Sequence, residues 1–176
     1  NLGLLSWKQG LLKQALKEFD RSFRLQATLG DVEGQIVLRT NMGLIEMDSG
    51  NLEESRKHFE EALQTAGQIG HFYHVCLAQM HLALLNVYAS NWSAALEYGQ
   101  QSLAGFKELE VKENLVVDLN VSLGWAYLGL GDEVHSREIR TRLMNLLQEK
   151  NESDSSLSEC YRSEERRVGK ECRSRW

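Results

Sequence analysis

A cluster of potential metal ligands lies in the segment HFYHVCLAQMH, which runs from residue 71 to residue 81. It contains His71, His74, Cys76 and His81, and both residue types bind Zn²⁺ in proteins. In a helix His71 and His74 stand about one turn apart and share a face, whereas Cys76 falls on another side. These side chains do not converge on one tetrahedral ion. The segment therefore predicts surface histidines on a helix, with no metal site and no cofactor.

No other segment has the spacing of a catalytic motif. The sequence contains no glycine-rich phosphate loop, no nucleophile elbow and no helix with a paired-histidine metal motif. Its carboxylates cluster on segments that read as outer helix faces, where they are expected to be solvated; examples are Glu53, Glu54, Glu60 and Glu61. We therefore predict that the chain is not an enzyme.

The composition predicts a helical protein. Proline is absent, while leucine, alanine, glutamate and glutamine abound, and 42% of the residues are hydrophobic, which is enough for a core. The three cysteines are too few and too scattered for a disulfide framework, so a reducing, cytoplasmic compartment is expected. The longest apolar run is far short of a membrane span and no apolar leader opens the sequence, so no membrane association is expected.

An internal repeat of about 40 residues organises the sequence. Four similar segments begin at residues 1, 41, 81 and 122. They share a column of small residues, Gly3, Gly43, Ala83 and Gly124. A second column of small residues contains Ala15, Ser55, Ala95 and Ser136. Small side chains at fixed helical offsets let two antiparallel helices approach closely, so each segment predicts a helix, a tight turn and a second helix.

The turns and helix ends follow from the same alignment. A break recurs within each segment, at Gly10, Gly50, Ser90 and Gly131, and glycine favours the left-handed conformation that ends a helix. Asn51, Asn91 and Asp132 follow the break and are predicted to cap the next helix. The predicted helices cover residues 12–18, 31–48, 52–67, 72–88, 92–108, 112–129 and 133–149.

The repeated segments resemble the tetratricopeptide repeat. The second segment matches its signature through Met42-Gly43, Gly50, Ser55, Phe59 and Ala62. The 40-residue spacing resembles the longer-helix variety of this family, found in Leu-Gly-Asn adaptors and in bacterial arrays. The resemblance implies an all-α, right-handed α-solenoid of about four repeats over residues 1–150. The repeats are expected near residues 1–30, 31–70, 71–110 and 111–150.

The resemblance also implies a function. It predicts a non-catalytic scaffold that binds a protein, as a peptide or helix, in the concave groove lined by the first helix of each repeat. The alternative is a sensory or regulatory arm of a larger bacterial signalling ATPase or transcription regulator. In both cases the chain is expected to be part of a longer protein.

The first helices contain two stripes of different character. One stripe is apolar at helical spacing and is predicted to be core; it contains Leu38, Met42, Ile45 and Ser49, then Ala78, Leu82, Leu85 and Ala89, then Leu119, Leu123, Ala126 and Leu130. The adjacent stripe is mixed and variable, as a recognition surface is expected to be; it contains Asn41, Asp48, Leu77, His81, Tyr88, Asp118, Ser122 and Trp125. We predict that this second stripe binds the partner. The alternative is that it is merely solvated, with Leu77 and Trp125 at the edge of the core.

In the Leu-Gly-Asn adaptors, an asparagine two residues before the repeat glycine helps to clamp the backbone or acidic groups of the ligand. The resemblance therefore implies this clamping role for Asn41. His81 and Ser122 replace the asparagine in the third and fourth segments, so the resemblance gives no support for a ligand that spans all four repeats.

The last 15 residues, RSEERRVGKECRSRW, differ from everything before them. They follow a polar linker at residues 151–161 and contain six basic and three acidic side chains. These residues therefore carry a net charge of +3. Because the whole chain has a net charge of −5, the remaining residues carry −8. Such an acidic body repels nucleic acid, so only a basic arm could bind it. However, residues 162–176 resemble the in-frame translation of a common sequencing-library adapter. We therefore expect a non-native, disordered tail and no nucleic-acid partner.

Overall fold

The computed structural model describes residues 2–112 and 116–149, and within these ranges all regular secondary structure is helical. This confirms the predicted all-α helical repeat solenoid. The helices are α1 (Leu2–Lys8), α2 (Leu12–Leu29), α3 (Val32–Asp48), α4 (Leu52–Gln68), α5 (Phe72–Tyr88), α6 (Trp92–Glu108), α7 (Val117–Gly129) and α8 (Glu133–Glu149). They form four helix pairs, in which α1, α3, α5 and α7 are the first helices.

Two of the predicted helix bounds are wrong. The helix predicted over 12–18 extends to Leu29, because no residue that favours a helix stop occurs before Gly30. The helix predicted over 112–129 begins at Val117. The expectations for residues 151–161 and 162–176 lie outside the described residues.

Every described turn between helices has the same backbone geometry. In the turn after α3, the amide of Gly50 donates to the Met47 carbonyl at 3.0 Å and that of Asn51 donates to the Glu46 carbonyl at 2.8 Å. This pair of bonds is the Schellman arrangement, which needs a residue of positive φ. That residue recurs every 20 or 21 positions, at Gly10, Gly30, Gly50, Gly70, Ser90, Glu110 and Gly131. Two of the seven are not glycine.

The predicted side-chain caps are only partly correct. Asp132 accepts from the His135 amide at 3.2 Å, as predicted. The side chains of Asn51 and Asn91 make no capping hydrogen bond. The side-chain nitrogen of Asn51 instead donates to a carboxylate oxygen of Glu46 at 2.7 Å. The well-formed cap that the alignment missed is Asp31, which accepts from the backbone amide of Gly34 at 2.8 Å.

The small-residue column is where paired helices touch. A Cβ placed on Gly43 of α3 would lie 2.6 Å from Cε1 of Phe59 on α4, so glycine is required for this approach. The Ser55 hydroxyl donates to the Gly43 carbonyl at 2.8 Å and ties the same two helices together. Each outer pair repeats one of these two contacts: the first pair packs Gly3 against Phe19, and in the last pair the Ser136 hydroxyl donates to the Gly124 carbonyl.

The third pair uses a different combination at the same positions. Ala83 replaces the first-helix glycine, and Gly99 stands where the first two pairs have phenylalanine. The space is filled by Leu123 of the following helix, whose Cδ2 would lie 2.6 Å from a Cβ on Gly99. The interface therefore keeps its volume although the side chains that fill it change.

The core runs continuously between the helices. Buried apolar residues of α3, α4 and α5 pack together, and further clusters join α2 to α3 and α5 to α6, α7 and α8. The predicted core stripe is buried except for its last members. Ser49, Ala89 and Leu130 are exposed, because each is the C-cap residue where the chain leaves its helix.

The first helices also pack against one another. Helix α5 contacts both α3 and α7, whereas the second helices contact one another more sparsely in the described part of the chain. The described helices include none that is long and apolar enough to cross a lipid bilayer.

Candidate functional site

Three repeat-equivalent positions on α3, α5 and α7 form a surface that we call the first-helix face. The first position contains Val37, Leu77 and Asp118; the second contains Asn41, His81 and Ser122; the third contains Asp48, Tyr88 and Gly129. Each set is spaced by 40 or 41 residues, so the three first helices present these positions in the same orientation.

The first position combines apolar and acidic side chains. Val37 is 42% exposed, Leu77 is half-buried against the α5–α6–α7 cluster, and Asp118 is exposed. The predicted site omits Val37, although it precedes Leu77 by 40 residues and so holds the equivalent place on α3. The 40-residue spacing was the signal that could have found it.

The second position becomes more buried along the chain. Asn41 is half-buried, and its amide makes no side-chain hydrogen bond within residues 2–112 and 116–149. His81 is also half-buried and stacks on Phe59, with ring centroids 5.2 Å apart and an interplanar angle of 17°. Burial lowers the pKa of His81 to about 4 against an opposing effect of Asp118, so its imidazole is neutral at pH 7.

The third position lies near the C-terminal ends of the first helices. Asp48 is exposed and accepts a hydrogen bond from the Trp7 indole nitrogen of α1 at 2.9 Å. Tyr88 is half-buried against the cluster that contains Leu85. This position therefore presents a carboxylate on α3 and an aromatic side chain on α5.

Two residues of the predicted site lie in the interior. Ser122 has no exposed surface, and its hydroxyl donates to the Asp118 carbonyl at 2.9 Å. Trp125 is 7% exposed and packs with Val87 and Val121 in the core. It occupies the repeat position of Leu84, which is buried as well. Both side chains pack in the interior and add little surface to the first-helix face.

The histidine-rich segment divides between two sides of α5. His71 and His74 lie together, with ring centroids 4.4 Å apart. Cys76 is buried towards α6, where its carbonyl accepts from the Ser102 hydroxyl at 2.7 Å. Burial raises the pKa of the Cys76 thiol above its ordinary value. As predicted from helical geometry, Cys76 does not share the face of the two histidines.

Comparison with known proteins agrees with this geometry. A family model described as the tetratricopeptide repeat matches residues 34–108, which covers most of α3 and all of α4, α5 and α6. Residues 34–108 therefore match the tetratricopeptide-repeat pattern. The α7–α8 pair lies outside the matched residues, yet it repeats the serine-to-carbonyl bond of the α3–α4 pair.

A solved structure has the same fold. The crystal structure of BtubC (BKLC) from P. vanneervenii superposes with a TM-score of 0.73 and 17% sequence identity. The alignment covers 88% of this chain and 64% of that one, so the chain spans less than two thirds of the length of BtubC. At this identity the likeness concerns the fold alone. No curated protein matches the sequence.

Proposed function

We propose that the chain is a non-catalytic scaffold whose first-helix face binds a peptide or helix of a partner protein. Tetratricopeptide repeats in general mediate protein–protein interactions and are in general non-catalytic, and residues 34–108 match this family. The closer packing of α5 on α3 and α7, compared with that among the second helices, supports a curvature that places the first helices on the inner side.

The observation that favours this face is the variation at its three positions. Val37, Leu77 and Asp118 occupy equivalent places on equivalent helices, but they differ in polarity and all retain exposed surface. The positions beneath them are uniformly apolar and buried, as at Leu38 and Ala78. A constant core under a variable surface is the arrangement by which one repeat backbone can recognise different ligands.

The chemistry of the face favours one class of ligand. Val37, Leu77 and Tyr88 offer apolar and aromatic contacts. Exposed carboxylates are presented by Asp48, at the third position on α3, and by Asp118, at the first position on α7. Such a surface suits a peptide with apolar anchors flanked by lysine or arginine. The amide of Asn41 can donate to and accept from the backbone of that peptide, as the resemblance to the adaptors implies.

A peptide-display library panned against the whole chain tests this proposal. Selected peptides are then measured by fluorescence anisotropy against Val37→Lys, Asn41→Ala and a matched control, Gln64→Lys. Gln64 is an exposed residue of α4 in the same repeat, so this control adds the same charge to a second helix. We expect Val37→Lys and Asn41→Ala to weaken binding by about tenfold or more, which corresponds to about 1.4 kcal/mol.

The control distinguishes binding on the first helices from binding on the second helices. Gln64→Lys is expected to change the affinity less than about twofold, since surface substitutions away from a binding site have small effects. Equal losses for Val37→Lys and Gln64→Lys would contradict binding on the first-helix face. So would selected peptides that lack both apolar and basic residues.

A further inference from the structure

Three potential metal ligands from two different repeats converge at one end of the first helices. Glu33 lies in the first turn of α3, His71 is the N-cap residue of α5, and His74 lies in the first turn of α5. One ligand atom from each residue can be chosen so that all three lie within 4.8 Å of one another. Helix packing thus brings residues together that are 38 and 41 positions apart in the sequence.

The distances within this cluster suit a shared cation better than direct hydrogen bonds. Oε1 of Glu33 lies 3.4 Å from Nε2 of His71 and 3.6 Å from Nε2 of His74. Hydrogen bonds between nitrogen and oxygen are usually about 2.7–3.2 Å long. In a tetrahedral zinc site with ligand distances of about 2.0–2.1 Å, neighbouring ligand atoms are separated by about 3.3 Å. The two observed separations are close to that value.

The packing of the two rings also favours metal binding. His74 is buried and His71 is half-buried. The other ring nitrogen of His71, Nδ1, is buried and has no hydrogen-bond partner in the described part of the chain.

We propose that Glu33, His71 and His74 form a binding site for a divalent transition-metal cation, with Zn²⁺ as the best fit. Two nitrogen ligands and one carboxylate suit zinc and its neighbours, whereas Mg²⁺ and Ca²⁺ prefer sites built from oxygen alone. The fourth position is open to water or to a ligand, since the Glu33 side chain is 61% exposed.

The bound cation links two consecutive repeats. It connects the N-terminal ends of α3 and α5, and so limits the movement of one repeat against the next. This proposal departs from the expectation drawn from the sequence, in which Cys76 and His81 were the other candidate ligands. Cys76 is buried towards α6 and His81 stacks on Phe59, and the structure supplies Glu33 in their place.

The first experiment titrates Zn²⁺ into the full chain by isothermal calorimetry. All variants contain Cys160→Ser and Cys172→Ser, so that these two thiols do not compete for the metal. Glu33→Gln removes the bridging carboxylate from an exposed position. Glu53→Gln is the matched control, because Glu53 holds the same place in the first turn of α4.

We expect one Zn²⁺ per chain for the parent and for Glu53→Gln, and at least about tenfold weaker binding for Glu33→Gln. Saturating Zn²⁺ should raise the melting temperature of the parent and of Glu53→Gln, and should raise that of Glu33→Gln less. Absence of stoichiometric binding by the parent, or equal affinities of the two glutamine variants, would overturn the proposal.

A second pair of variants tests the histidines. His71→Ala/His74→Ala is compared with His58→Ala/His135→Ala, which removes two histidines elsewhere, and far-UV circular dichroism without metal reports whether each folds. The first double variant is expected to lose Zn²⁺ binding and the second to retain it. Co²⁺ bound to the parent should give the visible spectrum of a nitrogen–oxygen site. A thiolate-to-metal absorption band would identify Cys76 as the ligand and overturn the assignment. If the first double variant does not fold, the Glu33→Gln comparison still decides.

Discussion

Replacing Gly43 with alanine should destabilise the chain by about 1–2 kcal/mol, although alanine is the better helix former. The new Cβ would lie 2.6 Å and 2.8 Å from two ring carbons of Phe59. Carbon atoms in contact are usually about 3.5–4.0 Å apart, so the ring or the helix must move by about 1 Å. Phe59 has no exposed surface and packs against Leu82 and Leu85, so it has no free space to enter.

The expected magnitude is the difference between two effects. Overpacking of a buried contact costs about 1–3 kcal/mol, and the rigid surroundings of Phe59 place this substitution in the upper half of that range. The glycine-to-alanine change returns about 1 kcal/mol through helix propensity. Gly67→Ala isolates this second effect, because a Cβ on that α4 glycine meets nothing within 4 Å. It should stabilise the chain by up to about 1 kcal/mol.

Urea unfolding followed by far-UV circular dichroism measures both variants, and a double-mutant cycle with Phe59→Leu measures the contact itself. Phe59→Leu makes room for the new methyl group, so the double variant should lose at least about 1 kcal/mol less than the sum of the single losses. The third pair, with Ala83 and Gly99, shows that this interface accepts a larger first-helix residue once the phenylalanine is absent. A Gly43→Ala variant as stable as the parent would refute the reasoning.

Three further predictions concern single residues. Ser90→Gly should stabilise the chain by about 0.5–1 kcal/mol in the same unfolding assay, because Ser90 holds a φ of 55° where glycine is less strained; a loss would contradict the turn geometry. Ser55→Ala should cost about 1 kcal/mol by removing the hydroxyl that donates to the Gly43 carbonyl, and an unchanged unfolding midpoint would exclude that bond. The pKa of His81 is about 4 when folded and about 6.5 when unfolded, so the unfolded chain takes up the proton first. The contribution of His81 to the free energy of unfolding is fully present above pH 6.5 and should fall by about 1–2 kcal/mol as the pH drops to 4. This loss is smaller than the full pKa shift implies, because the ring is partly exposed to solvent. Unfolding measured across this pH range should show a smaller loss for His81→Gln, and identical pH profiles would contradict the assignment.

The repeat architecture could be predicted because its determinants are local and recur. Close helix contact needs a small residue, as at Gly43, and the turn needs a residue that tolerates positive φ, as at Gly50. Both requirements recur at a constant spacing, so they are visible without knowledge of the tertiary structure. The end of α2 was equally visible at Gly30, and the prediction that stopped at residue 18 missed it.

The burial of individual site residues could not be read in the same way. Ser122 aligns with Asn41 and His81, which are half-buried, but α7 packs against α5, α6 and α8 at once. Trp125 aligns with Leu84, which is buried as well. The pattern of one helix does not tell how many neighbours cover it. Glu33 was missed as a partner of His71 because its position depends on the packing of α3 against α5, which no local pattern records.

Mapping a selected peptide onto the chain by nuclear magnetic resonance tests the central claim most directly. The amide and methyl signals of the ¹⁵N,¹³C-labelled chain are recorded with and without saturating peptide. The account predicts that the largest shift changes cluster on the exposed side of α3, α5 and α7, at Val37, Asn41, Leu77 and Asp118. Changes that cluster instead on α4 and α6, at positions such as Gln64 and Gln100, would contradict it.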